Sequence, residues 1–346
     1  MTQEEKYMRR CLYLAKLGIY SVSPNPMVGA VIVHADKIIG EGYHRRYGDA
    51  HAEPNAIHSV VNQGLLPEST LYVNLEPCSY FGKTPPCANL IVSKKIRRVV
   101  IGCLDPNPKV SGRGVDLLRN AGVDVVVGVL ESESRDLNKR FIIQQEEKRP
   151  FILLKWAQTS DGFIDNVRTD NSEKALKISN SVTGQLTHKM RAENMGIMVG
   201  KNTVLLDNPS LTVRNWYGKN PIRITIDKKN EIPENFNLKN KEVCTLIFNN
   251  TINETQEYLE YVKIDDLDEN LPVILTELYK KNIHSVLVEG GAQLLNSFIR
   301  LNLWDEANIE ISTQTLTNGV KAPVIQEEFC TSKQVIEGHK WKHYVR

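Results

Sequence analysis

The sequence predicts an α/β protein with two domains, and three observations support this prediction. The chain has 346 residues, which is too long for one small hydrophobic core and suits two domains of ordinary size. Predicted strands and helices alternate in both halves, as they do in α/β folds. A charged stretch with a helical pattern runs from Glu131 to Arg149 and ends at Pro150. We therefore expect a first domain over residues 1–147 and a second over residues 148–346.

The composition argues against several classes of protein. Hydrophobic residues make up 41% of the chain and the net charge is +2, so no strongly basic surface for nucleic acid or an acidic membrane is expected. No apolar run reaches the ~18 residues of a membrane span, and the charged N-terminus is unlike a signal peptide. Six cysteines in so large a chain do not indicate a disulfide framework. We expect a cytoplasmic protein with reduced cysteines, two of them on a metal.

Hydrophobic periodicity predicts the elements of the first domain. Tyr7, Cys11, Leu14 and Ala15 share one face of a helical pattern. Two apolar runs joined at Ala35-Asp36 predict a hairpin. In chain order we predict a helix over 3–17, strands over 27–34 and 37–43, a helix over 52–62, a strand over 70–75, a helix over 88–94, a strand over 97–103, a helix over 114–121 and a strand over 123–129. This order indicates an α/β sandwich with a largely parallel edge.

The second domain repeats the alternation. We predict strands over 151–157, 196–200, 222–227, 243–249 and 283–289, and helices over 181–193 and 292–301. The step Gly290-Gly291 joins the last of these strands to the last helix. Such a junction can direct backbone N–H groups onto a pyrophosphate, although a tight turn is its commoner role. There is no G-x-G-x-x-G sequence, so a Rossmann nucleotide fold is not predicted.

One histidine, two cysteines and a nearby glutamate have the pattern of a catalytic zinc site. His51 and Glu53 begin a predicted helix, and Cys78 and Cys87 follow the next strand. Imidazole and thiolate are donors that Zn²⁺ binds, and three protein ligands leave a fourth position open. The order fits the zinc-deaminase signature H-x-E…P-C-x-x-C, except that eight residues separate the cysteines instead of two. We predict His51, Cys78 and Cys87 as zinc ligands.

Glu53 has the position of a general acid/base beside that metal. Zinc lowers the pKa of a coordinated water, and the resulting hydroxide can attack an amidine carbon. The ammonia leaving group needs a proton, which a carboxylate that does not bind the metal can carry. A structural zinc would more often have four protein ligands. We further expect Cys78 to open a helix, whose N-terminus would favour its thiolate.

The chain resembles the bifunctional pyrimidine deaminase/reductase family of riboflavin biosynthesis nearly end to end. In the first half the matching motifs are Pro24-Asn25-Pro26-Met27-Val28-Gly29, Gly40-Glu41-Gly42-Tyr43-His44, His51-Ala52-Glu53, Glu76-Pro77-Cys78-Ser79, Gly82-Lys83-Thr84-Pro85-Pro86-Cys87 and Asp105-Pro106-Asn107-Pro108. In the second half they are Lys155, Ser160-Asp161-Gly162, Arg191-Ala192, Thr203-Val204, Asp207-Asn208-Pro209, Leu211-Thr212-Val213-Arg214 and Val288-Glu289-Gly290-Gly291. The long loop between the cysteines distinguishes this family from cytidine and tRNA-adenosine deaminases.

The resemblance implies two folds and two reactions. The first domain would be a cytidine-deaminase-like α/β/α sandwich that removes an amino group from a phosphoribosylaminopyrimidine with Zn²⁺. The second would be a dihydrofolate-reductase-like α/β domain that uses NADPH to reduce the ribosyl group to ribityl. Expected partners are therefore small-molecule phosphoribosyl pyrimidines, with no nucleic acid and no membrane. A homo-oligomer, dimer or tetramer, is also expected.

The resemblance also implies binding residues. Asn25 and Lys83 would bind the deaminase substrate, Lys83 through phosphate. The expected cofactor contacts are Gln158, Thr203, Asp207, Gly291, Ala292, Gln293 and Leu294. The expected contacts to the reductase substrate are Lys155, Arg191, Leu211, Arg214 and Glu289. Each of the two arginines can fork onto a phosphate. Lys228 and Lys229 could meet the 2′-phosphate of NADPH.

The chain departs from the family pattern at one stretch before the helix over 181–193. Residues 171–179 replace a Gly-Glu-Ser-x-Trp-Ile-like sequence, with Ala175 where a serine and Lys177 where an aromatic residue is expected. We therefore carry over no contact at these two positions. Tyr80 replaces a frequent histidine, which is a minor change.

Two other functions fit part of these observations. One is a zinc deaminase that acts on another nucleoside or a tRNA base, with the second half as a binding module. The near-zero net charge argues against the tRNA version, which calls for a basic face. The other is a zinc-stabilised binding protein without catalytic activity. Glu53 argues against it, because a structural zinc has no use for an adjacent carboxylate that does not bind the metal.

Overall fold

The computed structural model describes residues 1–80, 86–107, 111–265, 267 and 270–346. The chain divides into two compact units, Met1–Lys148 and Arg149–Arg346. No helix within the described part of the chain is long and apolar enough to cross a membrane.

The first unit is an α/β sandwich around a five-stranded sheet. Its strands are β1 Gly29–His34, β2 Lys37–Tyr43, β3 Thr70–Leu75, β4 Arg98–Cys103 and β5 Asp124–Val127, in the order β2-β1-β3-β4-β5. Its helices are α1 Gln3–Lys16, α2 Ala52–Ser59, α3 Cys87–Ser93, α4 Arg113–Asn120, α5 Glu131–Leu137 and α6 Lys139–Glu147, with a short 3₁₀ helix at Gln63–Glu68. The predicted hairpin of β1 and β2 is confirmed, as is the parallel edge of β3, β4 and β5.

Alternating side chains build a core on each face of this sheet. Even positions such as Ile32 on β1 pack against α2, α3 and α4. Odd positions such as Val31 pack against the predicted apolar face of α1, which includes Tyr7 and Cys11. A period of two along the strands meets helical faces on both sides, so the sheet is buried as a middle layer.

Gly42 allows the helix that carries the metal motif to pack directly on β2. A Cβ atom at Gly42 would lie 2.3 Å from the backbone nitrogen of Ala56 and 2.6 Å from the carbonyl oxygen of Ala52.

Helix α2 ends at Ser59, three residues before the predicted end, because Val60 is extended. Pro54 lies in the first turn, where a missing N–H is tolerated.

The second unit is built on a ten-stranded sheet. The strands of this unit, which include the separate pair β7 and β15, are β6 Phe151–Gln158, β7 Phe163–Asp165, β8 Gly196–Gly200, β9 Ile222–Ile226, β10 Thr245–Asn249, β11 Glu254–Thr255, β12 Leu259–Lys263, β13 Ser285–Gly290, β14 Glu306–Ile311, β15 Val320–Lys321, β16 Cys330–Ile336 and β17 His339–Val345. Its helices are α7 Ser181–Ala192, α8 Lys201–Asp207, α9 Leu271–Lys280 and α10 Ala292–Arg300, with 3₁₀ turns at Asn237–Lys239 and Glu327–Phe329.

The middle of the large sheet is parallel and its two edges are antiparallel. The order is β11-β12-β10-β9-β8-β13-β6-β14-β17-β16, with β7 and β15 paired separately. The neighbouring strands β12, β10, β9, β8, β13, β6 and β14 are all parallel. Strands β17 and β16 form an antiparallel hairpin at one edge. The carboxyl ends of the parallel strands therefore lie on one side, where ligands of open α/β sheets bind.

Several elements of the second unit were not predicted from the sequence. They are α8, α9 and the strands β7, β11, β12 and β14 to β17. Helix α9 is apolar over most of its length and has Pro272 in its first turn. Its sequence is therefore equally compatible with a buried strand that follows a turn. The predicted strands and helices of this half are all present, with ends that differ by at most two residues.

Candidate active sites

His51, Cys78 and Cys87 come together in the first unit. His51 is the N-cap of α2, Cys78 follows β3, and Cys87 is the first residue of α3. The Nδ1 atom of His51 lies 3.6 Å from Cys78 Sγ and 3.3 Å from Cys87 Sγ. All three donor atoms lie within 4.8 Å of one another.

These separations fit a single zinc ion. Tetrahedral coordination with a Zn–S distance of about 2.3 Å and a Zn–N distance of about 2.05 Å places sulfur and nitrogen donors about 3.6 Å apart. Two thiolates and one neutral imidazole balance the charge of the dication. Among the described residues, the donor cluster contains no fourth protein ligand. The donor set is therefore that of a catalytic zinc with one open position.

The prediction that Cys78 opens a helix is wrong. Residues 76–79 have no helical structure, and helix α3 begins at Cys87. The N-terminus of α3 nevertheless interacts with Cys78, because the backbone N–H of Cys87 donates to Cys78 Sγ at 3.3 Å. The N–H of Ala88 donates to the carbonyl oxygen of Cys78 at 3.1 Å. The electrostatic effect expected at Cys78 therefore comes from the backbone of the second cysteine.

The two thiols have opposite tendencies to ionise. A hydrogen bond from Cys87 and another from His51 lower the pKa of Cys78 to about 4. The Cys78 thiolate and burial raise the pKa of Cys87. The hydrogen bond with Cys78 raises the pKa of His51. Cys78 is thus the thiolate of the group before a metal binds, and a bound dication would ionise the second thiol as well.

Glu53 is buried beside the three donors. Its residue exposure is 3%. Burial raises the pKa of Glu53 to about 7 and the Cys78 thiolate adds to this, while His51 and a hydrogen bond with Cys87 act in the opposite direction. A carboxyl group whose pKa is near neutrality can both accept and return a proton at physiological pH.

Glu76 fixes the backbone around Cys78, a role that was not predicted from the sequence. Its carboxylate accepts hydrogen bonds from four backbone N–H groups, at distances of 2.8–3.2 Å, and these groups belong to Asp105, Gly112, Gly114 and Val115. A Cβ atom at Gly114 would lie 2.1 Å from the carbonyl oxygen of Pro77. The start of α4 is therefore packed against the segment that carries a zinc ligand.

We expect Glu76→Gln to destabilise the first unit by about 2–4 kcal/mol, because an amide has one accepting oxygen for four buried N–H groups. The measurement is the unfolding transition of that unit by calorimetry. Glu133→Gln, at an exposed carboxylate on α5, is the matched control and should leave the transition in place. An unchanged transition in Glu76→Gln would show that the four hydrogen bonds do not hold this segment.

Asn25 lies near the metal ligands, while Lys83 cannot be placed. The side-chain amide of Asn25 donates to His44 Nε2 at 3.0 Å, and His44 Nδ1–H donates to the carbonyl oxygen of Ala50 at 3.1 Å. The rings of His44 and His51 meet edge to face, with centroids 5.4 Å apart. Lys83 lies outside the described residues.

The second unit has a large cavity at the carboxyl ends of its parallel strands. Its volume is about 1290 Å³, which exceeds typical small-molecule pockets and leaves room for a dinucleotide beside a substrate. Most of the predicted cofactor contacts line it, namely Thr203, Asp207, Gly291, Ala292, Gln293 and Leu294. Lys228 and Lys229 also lie on its wall. Gln158 accepts a hydrogen bond from Trp156 Nε1 at 2.8 Å, and the described lining does not include it.

Three of the predicted cofactor residues already make polar contacts within the protein. The backbone N–H of Gly291 donates to Thr203 Oγ1 at 3.0 Å. Arg168 Nη2 donates to Asp207 Oδ1 at 2.6 Å and also pairs with Asp165. Arg168, whose side chain is 3% exposed, was not predicted as a site residue from the sequence. It holds Asp207 at the end of α8 on the cavity wall.

Two of the five predicted substrate residues of the second unit, Lys155 and Glu289, line the cavity. The described lining does not include the other three, which are Arg191, Leu211 and Arg214. Arg191 forks onto the Glu289 carboxylate, with distances of 2.7 and 2.6 Å. Burial would raise the pKa of Glu289, but Arg191, Lys155 and His188 together hold it below its usual value. Leu211 is 3% exposed with its side chain in the core, and Arg214 donates to Thr212 Oγ1 at 3.0 Å. A two-pronged phosphate contact through Nε and Nη2 of Arg191 would require its pairing with Glu289 to open.

The altered stretch before α7 also reaches this cavity. Ala175, Lys177 and Ser179 are on its wall. The departure from the family pattern therefore lies at the site itself.

Family models match both units. Residues 1–103 match the cytidine and deoxycytidylate deaminase zinc-binding region. Residues 150–335 match the RibD C-terminal domain. The fold and the metal centre of the first unit thus define a zinc-dependent deaminase of the cytidine-deaminase type, joined to a reductase-type α/β domain.

Similar proteins match almost the whole chain. Riboflavin biosynthesis protein RibD of Aquifex aeolicus is 39% identical over 322 residues, covering 92% of this chain and 89% of that protein. RibD of Escherichia coli is 35% identical, with 91% and 89% covered. The crystal structure of a diaminohydroxyphosphoribosylaminopyrimidine deaminase/5-amino-6-(5-phosphoribosylamino)uracil reductase from Thermotoga maritima has a TM-score of 0.88 at 36% identity, covering 99% of this chain and 98% of that chain.

The chain belongs to the RibD family of riboflavin biosynthesis proteins. It is a bifunctional enzyme, with a hydrolytic deaminase in the first domain and a reductase in the second. Zinc is the cofactor of the first domain and NADPH that of the second. The predicted fold class and bifunctional activity are confirmed.

Proposed function

We propose that the first domain deaminates a diamino-hydroxy-phosphoribosylaminopyrimidine and that the second reduces the ribosyl group of the product to ribityl. The observation that carries this proposal is the cluster of His51, Cys78 and Cys87 with buried Glu53, in a chain that matches the Thermotoga maritima enzyme over 99% of its length. It favours the bifunctional enzyme over a deaminase of another nucleoside or of tRNA, and over a binding protein without catalytic activity.

In the deaminase step, each of the proposed site residues has a distinct role. His51, Cys78 and Cys87 would hold the metal, and zinc bound there would supply the Lewis acidity that makes water a nucleophile near neutral pH. Glu53 takes a proton from that water and returns it to the leaving amino group. Asn25, whose amide is fixed by His44, contacts the pyrimidine. Lys83 binds the substrate phosphate.

In the reductase step, the cavity of the second unit binds cofactor and substrate together. NADPH supplies the hydride when bound. We assign its contacts to Gln158, Thr203, Asp207 and the start of α10 at residues 291–294, where the helix N-terminus favours a pyrophosphate. The substrate contacts are the remaining predicted residues, Lys155, Arg191, Leu211, Arg214 and Glu289. Lys155 is a buried cationic donor on the cavity wall that can bind the open sugar chain.

The experiment that tests the proposal is a combined assay on the full-length enzyme. The phosphoribosyl pyrimidine is supplied with NADPH, and ammonia release, NADPH oxidation and zinc content are followed on the same preparation. We expect about one zinc per chain and both reactions in sequence. Ammonia release from cytidine or tRNA, with none from the phosphoribosyl pyrimidine, would contradict the proposal.

Residues 148–346 produced alone are expected to fold and bind NADPH, since the second unit has its own hydrophobic core and its own cavity. The measurement is a fluorescence titration with NADPH. The matched control is residues 1–147, which should leave the NADPH fluorescence unchanged. A flat titration of a folded 148–346 fragment would count against the reductase assignment.

We also propose that the enzyme is a cytoplasmic homo-oligomer, a dimer or a tetramer. None of the six cysteines is in a disulfide, which fits a reducing compartment. Light scattering of the purified protein measures the assembly directly, and a monomer at micromolar concentration would contradict it.

A further inference from the structure

A fully buried carboxylate lies behind Lys155. Glu310 on β14 has no exposed surface. Its Oε1 atom accepts a hydrogen bond from His339 Nδ1–H at 2.7 Å, and its Oε2 atom accepts one from Ser179 Oγ at 2.6 Å. Lys155 Nζ lies 3.8 Å from Oε2. Three separate segments of the chain thus meet at one carboxylate.

The strand register places these side chains on one face of the sheet. Lys155 on β6 is opposite Asn308 on β14, and Glu310 is two residues further along. Trp341 on β17 is opposite Glu310, and His339 is two residues before it. Alternate residues of a strand share a face, so Lys155, Glu310 and His339 all point to the same side.

The groups around this carboxylate favour its ionised form. Burial alone would raise the pKa of Glu310, but Lys155, Ser179, Thr183 and His339 together hold it below its usual value. A buried charge is costly unless it is paired and hydrogen-bonded, and an apolar residue of similar volume often gives equal or better stability. A function other than stability is therefore the better account of this charge. Lys155, a buried side chain whose Nζ atom lies 3.8 Å from it, lines the cavity.

We infer that Glu310, held by His339 and Ser179, is a positioning residue that fixes the ammonium group of Lys155 for the reductase substrate. The inference rests on the proposed substrate contact of Lys155. It extends that site to the C-terminal hairpin, which supplies His339, and to the altered stretch before α7, which supplies Ser179.

The same geometry gives a pH-dependent consequence. The charged groups that face Lys155 are Glu310 on β14, Glu289 on β13 and Arg191 on α7. Burial and Arg191 lower the pKa of Lys155, whereas the two carboxylates raise it. Loss of the charge at Glu310 removes one of the two groups that keep the ammonium protonated. The alkaline limb of the reductase pH profile should therefore move to lower pH.

The test uses the full-length enzyme with Glu310→Gln. We expect NADPH oxidation with the pyrimidine substrate to fall between about 10-fold and 100-fold in kcat/KM, because a displaced catalytic-site group has effects of this size. The alkaline limb should move to lower pH, while the Kd for NADPH and the rate of ammonia release stay unchanged. An unchanged kcat/KM and pH profile would overturn the inference.

Paired variants at His339 keep the test decisive if Glu310→Gln fails to fold. His339→Ala removes the donor to Glu310, and we expect it to move the alkaline limb in the same direction as Glu310→Gln. His339→Asn has its side-chain amide nitrogen near the position of Nδ1, so it can still donate to Glu310 and should restore most of the activity and the original profile. Equal profiles for His339→Ala and the unaltered enzyme would overturn the inference.

Lys155→Met separates failure of this inference from failure of the proposed function. If Lys155→Met abolishes reduction while Glu310→Gln leaves it intact, only the role of Glu310 is refuted. If Lys155→Met itself reduces the substrate normally, the proposed contact of Lys155 is refuted, and the role of Glu310 with it.

Discussion

Glu53→Gln is expected to lower the rate of ammonia release by about 10²–10⁴-fold while the protein keeps its zinc, because general acid/base groups contribute factors of this size. Glutamine has nearly the shape of glutamate and fits the same buried position, 3% exposed, but it cannot carry a proton between water and the leaving group. The measurement is a steady-state ammonia assay combined with metal analysis.

Two controls show whether such a loss is chemical. Glu68→Gln changes a carboxylate that is 77% exposed in the same unit and should leave the rate unchanged. The rate of NADPH oxidation on already deaminated substrate should also be unchanged in Glu53→Gln, because that reaction belongs to the other unit. Full deaminase activity in Glu53→Gln would remove this residue from the mechanism.

Cys78→Ser is expected to abolish zinc binding and deamination together. A serine hydroxyl does not ionise near neutral pH, so the site loses both a soft donor and one negative charge. We expect the zinc affinity to fall by more than about 100-fold, since even indirect supports of metal ligands contribute 10–100-fold. Metal analysis after dialysis is the measurement, and prolonged chelation of the unaltered enzyme should reproduce the loss of deaminase activity.

The matched control for Cys78→Ser is Cys244→Ser, at an exposed free thiol in the other unit. It should keep both the zinc and the activity. Zinc retained at about one per chain in Cys78→Ser, after dialysis against a chelator, would mean that the cluster of three donors is not the metal site.

The sequence predicted the metal centre well because few residue types bind zinc. His51, Cys78 and Cys87 are of the right kinds, and a six-residue apolar strand, β3, lies between His51 and Cys78. Strand β3 was predicted with its observed ends. The helix predicted over 88–94 is present and begins at Cys87. The additional helix start expected at Cys78 was wrong, because the segment between the two cysteines has no apolar period that could locate one.

The second unit was harder to predict because its site is assembled from distant parts of the chain. Arg168 meets Asp207 across 39 positions, and Lys155 meets Glu310 across the pairing of β6 with β14. Neither contact is marked by a short-range repeat in the sequence. Strands β16 and β17 carry many exposed polar residues, so their pattern resembles a loop until the sheet pairs them. A charged residue inside the apolar run of β14 was the one visible indication of Glu310.

The division into two compact units, each with its own core, has a genetic consequence. A chain inactivated at Glu53 would retain the reductase activity, and a second chain inactivated at Lys155 would retain the deaminase activity. Expressed together in a cell that lacks its own copy, the two defective alleles should complement each other and restore growth without added vitamin, provided that the intermediate can diffuse from one chain to the other.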